Sequence, residues 1–182
     1  GGRVGKILAY SEECELDAGG LPVILLAGVR PLESIGMLST YAVSADDERG
    51  DKLAKLGQHA VAAIAMHGDP AADRALEGFV APNQPVGLRR HTEFWLGAER
   101  GRRGYEVLRK MVKDDPSDRV REHAIFALSL SAEPAAVEAM IDVAHNDRSS
   151  HVRGQALFWL GQKAGQKAVA ALKDAVDNDP ET

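Results

Sequence analysis

Three histidines recur at a fixed distance along the chain and are the first candidates for chemistry. His59, His91 and His123 are each separated by 32 residues, and Glu122 precedes His123. Histidine and glutamate side chains are ligands that zinc and iron accept in proteins. If each period adds one layer of packed helices, equivalent residues lie about 8–10 Å apart and cannot converge on one ion. We therefore predict no metal site, and we expect each histidine to pack between neighbouring helices.

Other residue combinations that carry catalysis are not apparent in the sequence. It contains no nucleophile–base–acid set and no glycine-rich phosphate loop in a suitable context. Cys14 is the single cysteine, so it cannot form an internal disulfide or a multi-cysteine zinc site. We expect Cys14 to be a small, half-buried apolar residue. The sequence thus predicts a non-catalytic protein that holds no cofactor.

The charge of the chain argues against a general nucleic-acid binder, because its formal net charge is −5. One stretch is basic, but the next carries several carboxylates, so the surface is mixed and is a poor track for phosphates. The longest apolar run, 21–29, is far shorter than the roughly 20 residues of a membrane span. The basic residues are Arg100, Arg102, Arg103, Arg109, Lys110 and Lys113.

The spacing of the histidines belongs to a repeat that covers most of the chain. Within one block, Val120, Ala124, Ala127 and Leu128 recur at three- and four-residue intervals, which predicts one apolar face of a helix. A second helical pattern follows each connector, and a polar turn ends each block. A lone helix pair cannot bury its apolar faces, so the pairs must stack. The four blocks are 54–85, 86–117, 118–149 and 150–181.

Short connectors of small or turn-forming residues separate the two predicted helices of each block. They are Gly68-Asp69-Pro70, Arg100-Gly101, Ala132-Glu133-Pro134 and Ala164-Gly165. Proline suits the first turn of a helix, which favours helix starts at the two prolines. Aromatic residues recur inside the apolar pattern of the first helices, and we expect them to belong to the core. These aromatic residues are Phe94, Trp95, Phe126, Phe158 and Trp159.

A polar pair recurs at the boundaries between blocks. Asp115 in the turn precedes Arg121 by six residues, and Asn83 precedes Arg89 by the same distance. An arginine in the first turn of a helix is unfavourable for the helix dipole, so its recurrence needs another reason. Its rigid fork can bond a carboxylate and backbone carbonyls together. We predict a structural ladder of four residues: Asp115, Arg121, Asp147 and Arg153.

The segments that follow these turns, 120–128 and 152–161, read VREHAIFAL and VRGQALFWLG. They resemble HEAT repeats of the short bacterial type, similar to those named after phycobilisome lyases, and the resemblance extends over about residues 50–182. It implies an all-α, HEAT-type superhelix of about four to five helix pairs. It also implies a recognition scaffold, and many similar bacterial proteins carry export signals, which would place this one outside the cytoplasm.

Residues 1–49 do not follow the period and are expected to cap the repeats. Segments 6–11 and 21–28 are rich in strand-forming residues, and Asp17-Ala18-Gly19-Gly20 is a turn signal, so a short β-hairpin is predicted. A helix is predicted over 31–43, followed by a polar connector over 44–50. At the other end, Asp179-Pro180-Glu181 resembles the start of a further repeat, and we expect the native protein to continue.

The function predicted from these features is protein binding. In repeats of this kind the second helices usually carry the binding surface. We expect a monomer that binds an unidentified protein or peptide. The alternative is an enzyme or enzyme subunit, such as a HEAT-like lyase, DNA glycosylase or metal hydroxylase. The predicted binding face consists of Glu106, Lys110, Lys113, Glu138, Asp142, His145, Asp174 and Asp177.

Overall fold

A computed structural model describes residues 4–10, 13–15, 17–42 and 52–177, with side chains as far as residue 166. Eight α-helices lie in this part of the chain, and no strand lies there. None of these helices is long and apolar enough to cross a membrane. The helices are α1 Pro31–Ala42, α2 Lys52–Ala65, α3 Ala71–Phe79, α4 Val86–Glu99, α5 Gly101–Asp114, α6 Asp118–Leu130, α7 Ala135–Asn146 and α8 Ser150–Asp177.

The chain divides into two compact units, Gly1–Trp95 and Leu96–Thr182. In the first unit α1, α2 and α3 pack against one another. Their core is made of aliphatic side chains that follow the helical period, with Ala60, Val61 and Ile64 of α2 fully buried. The helix predicted over 31–43 is confirmed as α1. The predicted connector 44–50 lies outside the described residues.

The predicted β-hairpin is wrong, because the described residues of 4–30 form neither strands nor helices. Its turn is present, since the Gly19 N–H donates to Asp17 Oδ1 over 2.7 Å, and Gly19 and Gly20 adopt positive φ angles. The flanking segments are exposed, with Leu25 89% accessible. A two-stranded hairpin with no third strand or helix against it is marginal in water, so strand propensity alone does not form it. Cys14 is also exposed instead of half-buried.

The second unit is built around α6, which packs against α5, α7 and α8. Val120, Ala124, Ala127 and Leu128, predicted to form one apolar face, are all fully buried. The paired helices α6 and α7 therefore confirm the predicted helix pair of the third block. The same spacing gives α5 its buried residues Leu108, Met111 and Val112.

Close helix contacts in the second unit depend on two glycines. A Cβ placed on Gly97 in α4 would collide with the backbone of Ala127 in α6. A Cβ on Gly104 in α5 would collide with the carbonyl of Leu96 in α4. Only hydrogen fits at these positions, so the glycines set how near these helices can approach.

The predicted turn at Ala164-Gly165 is wrong, since α8 continues without interruption from Ser150 to Asp177. In the second block, Gly101 adopts a φ of 48° at the start of α5. In the third, Pro134 precedes α7 at its N-cap. Residues 164 and 165 provide neither a proline nor a positive φ angle, so no backbone feature ends the helix there.

The prediction that the aromatic residues are core is wrong for Phe94 and Phe158, which are 37% and 53% exposed. The two tryptophans are half-buried. Phe126 contacts Trp159 with ring centroids 4.8 Å apart, and Phe158 meets the same indole edge-on at 5.0 Å. The exposed phenylalanine therefore packs against the outer side of a tryptophan.

Candidate protein-binding groove between α5 and α7

A groove of about 610 Å³ lies in the second unit between α5 and α7. The α5 wall consists of Tyr105, Arg109, Val112 and Lys113, which share one helix face because they are spaced by four, three and one residues. Val112 is buried and forms part of the apolar floor, whereas Arg109 and Lys113 are exposed. This wall therefore presents two cations above an apolar base.

The opposite wall is acidic and comes from α7. Glu138, Ala139, Asp142, Val143 and Asn146 line it, again from one helix face. Val143 is buried, and Glu138 and Asp142 are exposed. The Asn146 side-chain amide donates to Asp142 Oδ1 over 2.7 Å, which orients that carboxylate.

The charges of the two walls do not neutralise each other. Among the described residues, no ion pair joins Arg109 or Lys113 to Glu138 or Asp142. The groove separates the walls, so their charges remain available to an occupant. The separation of positive and negative charge is local to the groove. The chain as a whole has a formal net charge of only −5.

A buried arginine fixes the end of the groove. Arg121 donates from Nε to Asp147 Oδ2 over 2.9 Å and from Nη2 to Asp147 Oδ1 over 3.0 Å. Its Nη1 donates to the carbonyl oxygen of Asp115 over 2.9 Å, and Nη2 also reaches Asp118 Oδ1 at 2.8 Å. Arg121 thus contacts Asp115 through the backbone carbonyl, while the carboxylate that it binds with two hydrogen bonds is that of Asp147 in the following turn.

The charges of this pair are stabilised in the fold. Burial alone would raise the pKa of Asp147, but the hydrogen bonds from Arg121 and from the Ser149 N–H lower it below its usual value. The hydrogen bonds that Arg121 donates to Asp147 raise the pKa of Arg121 against the opposing effect of burial. The pair therefore stays ionised and rigid beside the groove.

Two further arginines tie the turns together. Arg148 Nη2 donates to the carbonyl oxygens of Asp115 and Pro116 over 2.8 and 3.0 Å. Arg153 Nη1 donates to the Asp147 carbonyl over 2.8 Å, which repeats the bond from Arg121 to Asp115. In the first unit, Arg89 Nε donates to the Val80 carbonyl over 3.2 Å, at a spacing of nine residues instead of six.

The predicted binding face is only partly the face that lines the groove. Lys113, Glu138 and Asp142 line it, and Lys110 and His145 are exposed outside its lining. Glu106 also lies outside and pairs with the arginines of its own helix start, Arg102 and Arg103, at 3.4 Å each. The last two predicted members, Asp174 and Asp177, lie beyond the described side chains.

Four of the polar and aromatic residues that line the groove were not predicted from the sequence as part of a site. Tyr105 lies in the second helical pattern of its block, and Arg109 belongs to the basic stretch whose mixed surface was expected to be a poor track for phosphates. Asn146 and Arg148 belonged to the polar turn. The spacing of Tyr105, Arg109 and Lys113 could have predicted the α5 wall, because it places the three residues on one face of a helix.

The histidines lie in different environments. His59 is exposed, so its predicted packing between helices is wrong, and His123 is half-buried. His91 Nε2 lies 3.1 Å from the Gln58 carbonyl oxygen, and Trp95 Nε1 lies 3.4 Å from the same nitrogen. A carbonyl only accepts, so Nε2 carries the proton and the indole contact is weak. Within the described chain, no group of three or more potential ligands could hold a metal ion.

Glu93 is the unexpected feature of α4. Its side chain is fully buried, and neither carboxylate oxygen has a hydrogen-bond partner among the described residues. Burial raises its pKa to about 8, although Arg89 and Arg90 act in the opposite direction. Glu93 is therefore largely protonated at neutral pH. The buried carboxyl was not predicted, because Glu93 precedes an aromatic pair in a helical pattern that resembles those of the other blocks.

Comparison with known families places the groove within a recognised repeat. The family model for HEAT repeats matches residues 105–182, which include both walls of the groove. Together with the all-helical fold of the described residues, this match supports a HEAT-repeat protein. HEAT repeats are generally protein-interaction scaffolds. A search of curated proteins found no match to this chain.

Proposed function

We propose that this protein is a non-catalytic scaffold that binds a protein or peptide in the groove between α5 and α7. The observation that carries the proposal is the groove itself, about 610 Å³ in volume, with an apolar floor and charged walls. This volume is within the range of specific binding pockets, and the combination of apolar base and directed polar groups is typical of recognition sites.

The rigidity of the groove supports the same proposal. Arg121 and Asp147 hold the turn at its end, and Arg148 joins that turn to the preceding one. A binding surface that is already ordered loses less conformational entropy when a partner docks. The structural ladder would therefore serve recognition as well as stability.

Finer parts of the proposal depend on the resemblance of the 120–128 and 152–161 segments. They support a short HEAT repeat of bacterial type, similar to those named after phycobilisome lyases, in an exported or periplasmic protein. We propose a monomer that binds no nucleic acid, since the mixed charge of the groove would repel a phosphate backbone along its acidic wall.

Selection of random peptides on the purified protein tests the proposed function. Ala139→Arg and Asn146→Trp would each fill the groove, and Ala132→Arg is the matched control at an exposed site outside it. We expect selected peptides to bind wild type and Ala132→Arg equally and to lose binding to both groove variants. Equal binding to the groove variants would contradict the proposal, provided that their circular dichroism matches wild type.

Metal analysis tests the non-catalytic part of the proposal. The as-purified protein is expected to contain no stoichiometric iron or zinc. Stoichiometric metal that is lost in His91→Ala but retained in His59→Ala would instead favour the alternative of a metal-dependent enzyme.

A further inference from the structure

The opposite charges of the two walls indicate what kind of segment the groove accepts. Arg109 and Lys113 lie on α5, and Glu138 and Asp142 lie on α7. Among the described residues, no ion pair joins the two walls. We infer that the occupant is an extended peptide segment with an acidic side chain directed at α5 and a basic side chain directed at α7. This inference rests on the proposed function and adds the chemistry of its partner.

The size of the groove favours an extended segment over a helix. A helix with side chains is about 10–12 Å wide, so two turns of about 11 Å occupy roughly 850 Å³ or more. The groove offers about 610 Å³, so at least roughly a quarter of such a helix would lie outside it. An extended chain points successive side chains in opposite directions, which suits two walls of opposite charge.

The floor and ends of the groove agree with this orientation. Val112 and Val143 form a buried apolar base on which the backbone or a small side chain of the segment can rest. Tyr105 adds a half-buried aromatic ring on the basic side. Arg148 also lines the groove, but it is engaged by two backbone carbonyls and is less available to the occupant.

Each of the wall charges is exposed, so each contributes little affinity. An exposed ion pair changes a dissociation constant by only about fivefold at most. The charges are therefore expected to select the sequence and direction of the segment, while the apolar floor supplies most of the affinity. The preference should weaken at high ionic strength, because exposed charges are screened.

Selection of random peptides on two charge variants tests the inference. Wild type is expected to enrich peptides that contain both an acidic and a basic residue. Arg109→Glu/Lys113→Glu makes both walls acidic and should instead enrich peptides with basic residues alone. Lys110→Glu lies on α5 outside the groove and makes a change of the same sign, so it should enrich the same peptides as wild type.

A selected peptide then provides the quantitative test by fluorescence anisotropy. Replacing its acidic residue by the corresponding amide should weaken binding to wild type by about two- to fivefold. The same replacement should not weaken binding to Arg109→Glu/Lys113→Glu. Peptides that require the groove but show no charge preference would overturn the inference and leave the proposed function intact. Peptides that bind wild type and Ala139→Arg alike would overturn both.

Discussion

Arg121 and Asp147 form a bidentate ion pair in which both side chains are almost completely buried, with exposed fractions of 1% and 5%. The aspartate lies 26 residues after the arginine, in the turn that follows α6 and its partner helix α7. Arg121 also bonds the carbonyl of Asp115 in the turn that precedes its own helix. The Arg121 side chain therefore connects two successive turns. The length of the repeat determines where its partner Asp147 lies in the sequence.

Removal of the buried carboxylate should strongly destabilise the second unit. Asp147→Ala removes two hydrogen bonds and leaves Arg121 with only the exposed carboxylate of Asp118, so the free energy of unfolding should fall by about 3 kcal/mol. Asp142→Ala is the matched control at an exposed position and should change it by no more than about 0.5 kcal/mol. Urea unfolding followed by circular dichroism measures both, and equal small effects would show that the pair contributes little.

The close approach at Gly97 should not tolerate a methyl group. Gly97→Ala places a Cβ against the backbone of Ala127, so α4 and α6 must separate, at a cost of about 1–3 kcal/mol. Gly154→Ala is also helical but faces open space, and it should stabilise the protein by about 0.5–1 kcal/mol. Thermal unfolding should shift in opposite directions for the two variants, and a shared direction would contradict this packing.

The buried carboxyl of Glu93 should make stability depend on pH. Its folded pKa of about 8 exceeds the ordinary value of 4.5, so its contribution is fully present below pH 4.5 and is lost as pH rises towards 8. Across that window the free energy of unfolding should fall by about 1.4 kcal/mol per pH unit relative to Glu93→Gln, which has no such titration.

The difference between wild type and Glu93→Gln is the useful quantity, because His91 titrates in the opposite sense. Burial lowers the pKa of His91, so its contribution is lost as pH falls below its ordinary value of 6.5. Urea unfolding at pH 5, 6, 7 and 8 should therefore show Glu93→Gln gaining stability over wild type as pH rises. A constant difference would exclude the raised pKa.

Lys163 should stabilise the packing of α8 on the end of α6. Its ammonium donates to the carbonyl oxygens of Ser129 and Ser131, each over 2.8 Å. Lys163→Met removes these bonds at the C-terminal end of α6 and should cost about 1 kcal/mol of unfolding free energy. Lys110→Met is the exposed control on α5. If the two substitutions have the same effect in urea, these bonds add nothing to stability.

Much of the helical architecture could be predicted from the sequence, because apolar spacing and turn residues act locally. Val120, Ala124 and Leu128 identified α6, and Pro134 identified the start of α7. The hairpin could not be predicted correctly, since a strand requires a partner and residue preference does not show whether one is present. The turn at 164 and 165 failed for a related reason, because small residues permit a turn without imposing one.

The groove was predicted only in part because lining a site depends on how two helices face each other. Lys113, Glu138 and Asp142 were expected on a binding face, and they do line the groove. Arg109 and Tyr105 share a helix face with Lys113, but they line a groove only because α7 lies opposite that face. The carboxylate partner of Arg121 was not predicted correctly for the same reason. The spacing of six residues suggested Asp115, whereas in the fold Arg121 binds the carboxylate of Asp147.

Amide hydrogen exchange with a selected peptide bound is the most direct test of the groove as the binding site. Exchange would be compared between free wild type and wild type saturated with a peptide from the random library. Protection is expected in α5, in α7 and in the turn containing Asp147 and Arg148, with none in α1, α2 or α3. Protection of those first-unit helices, with α5 and α7 unchanged, would contradict the account.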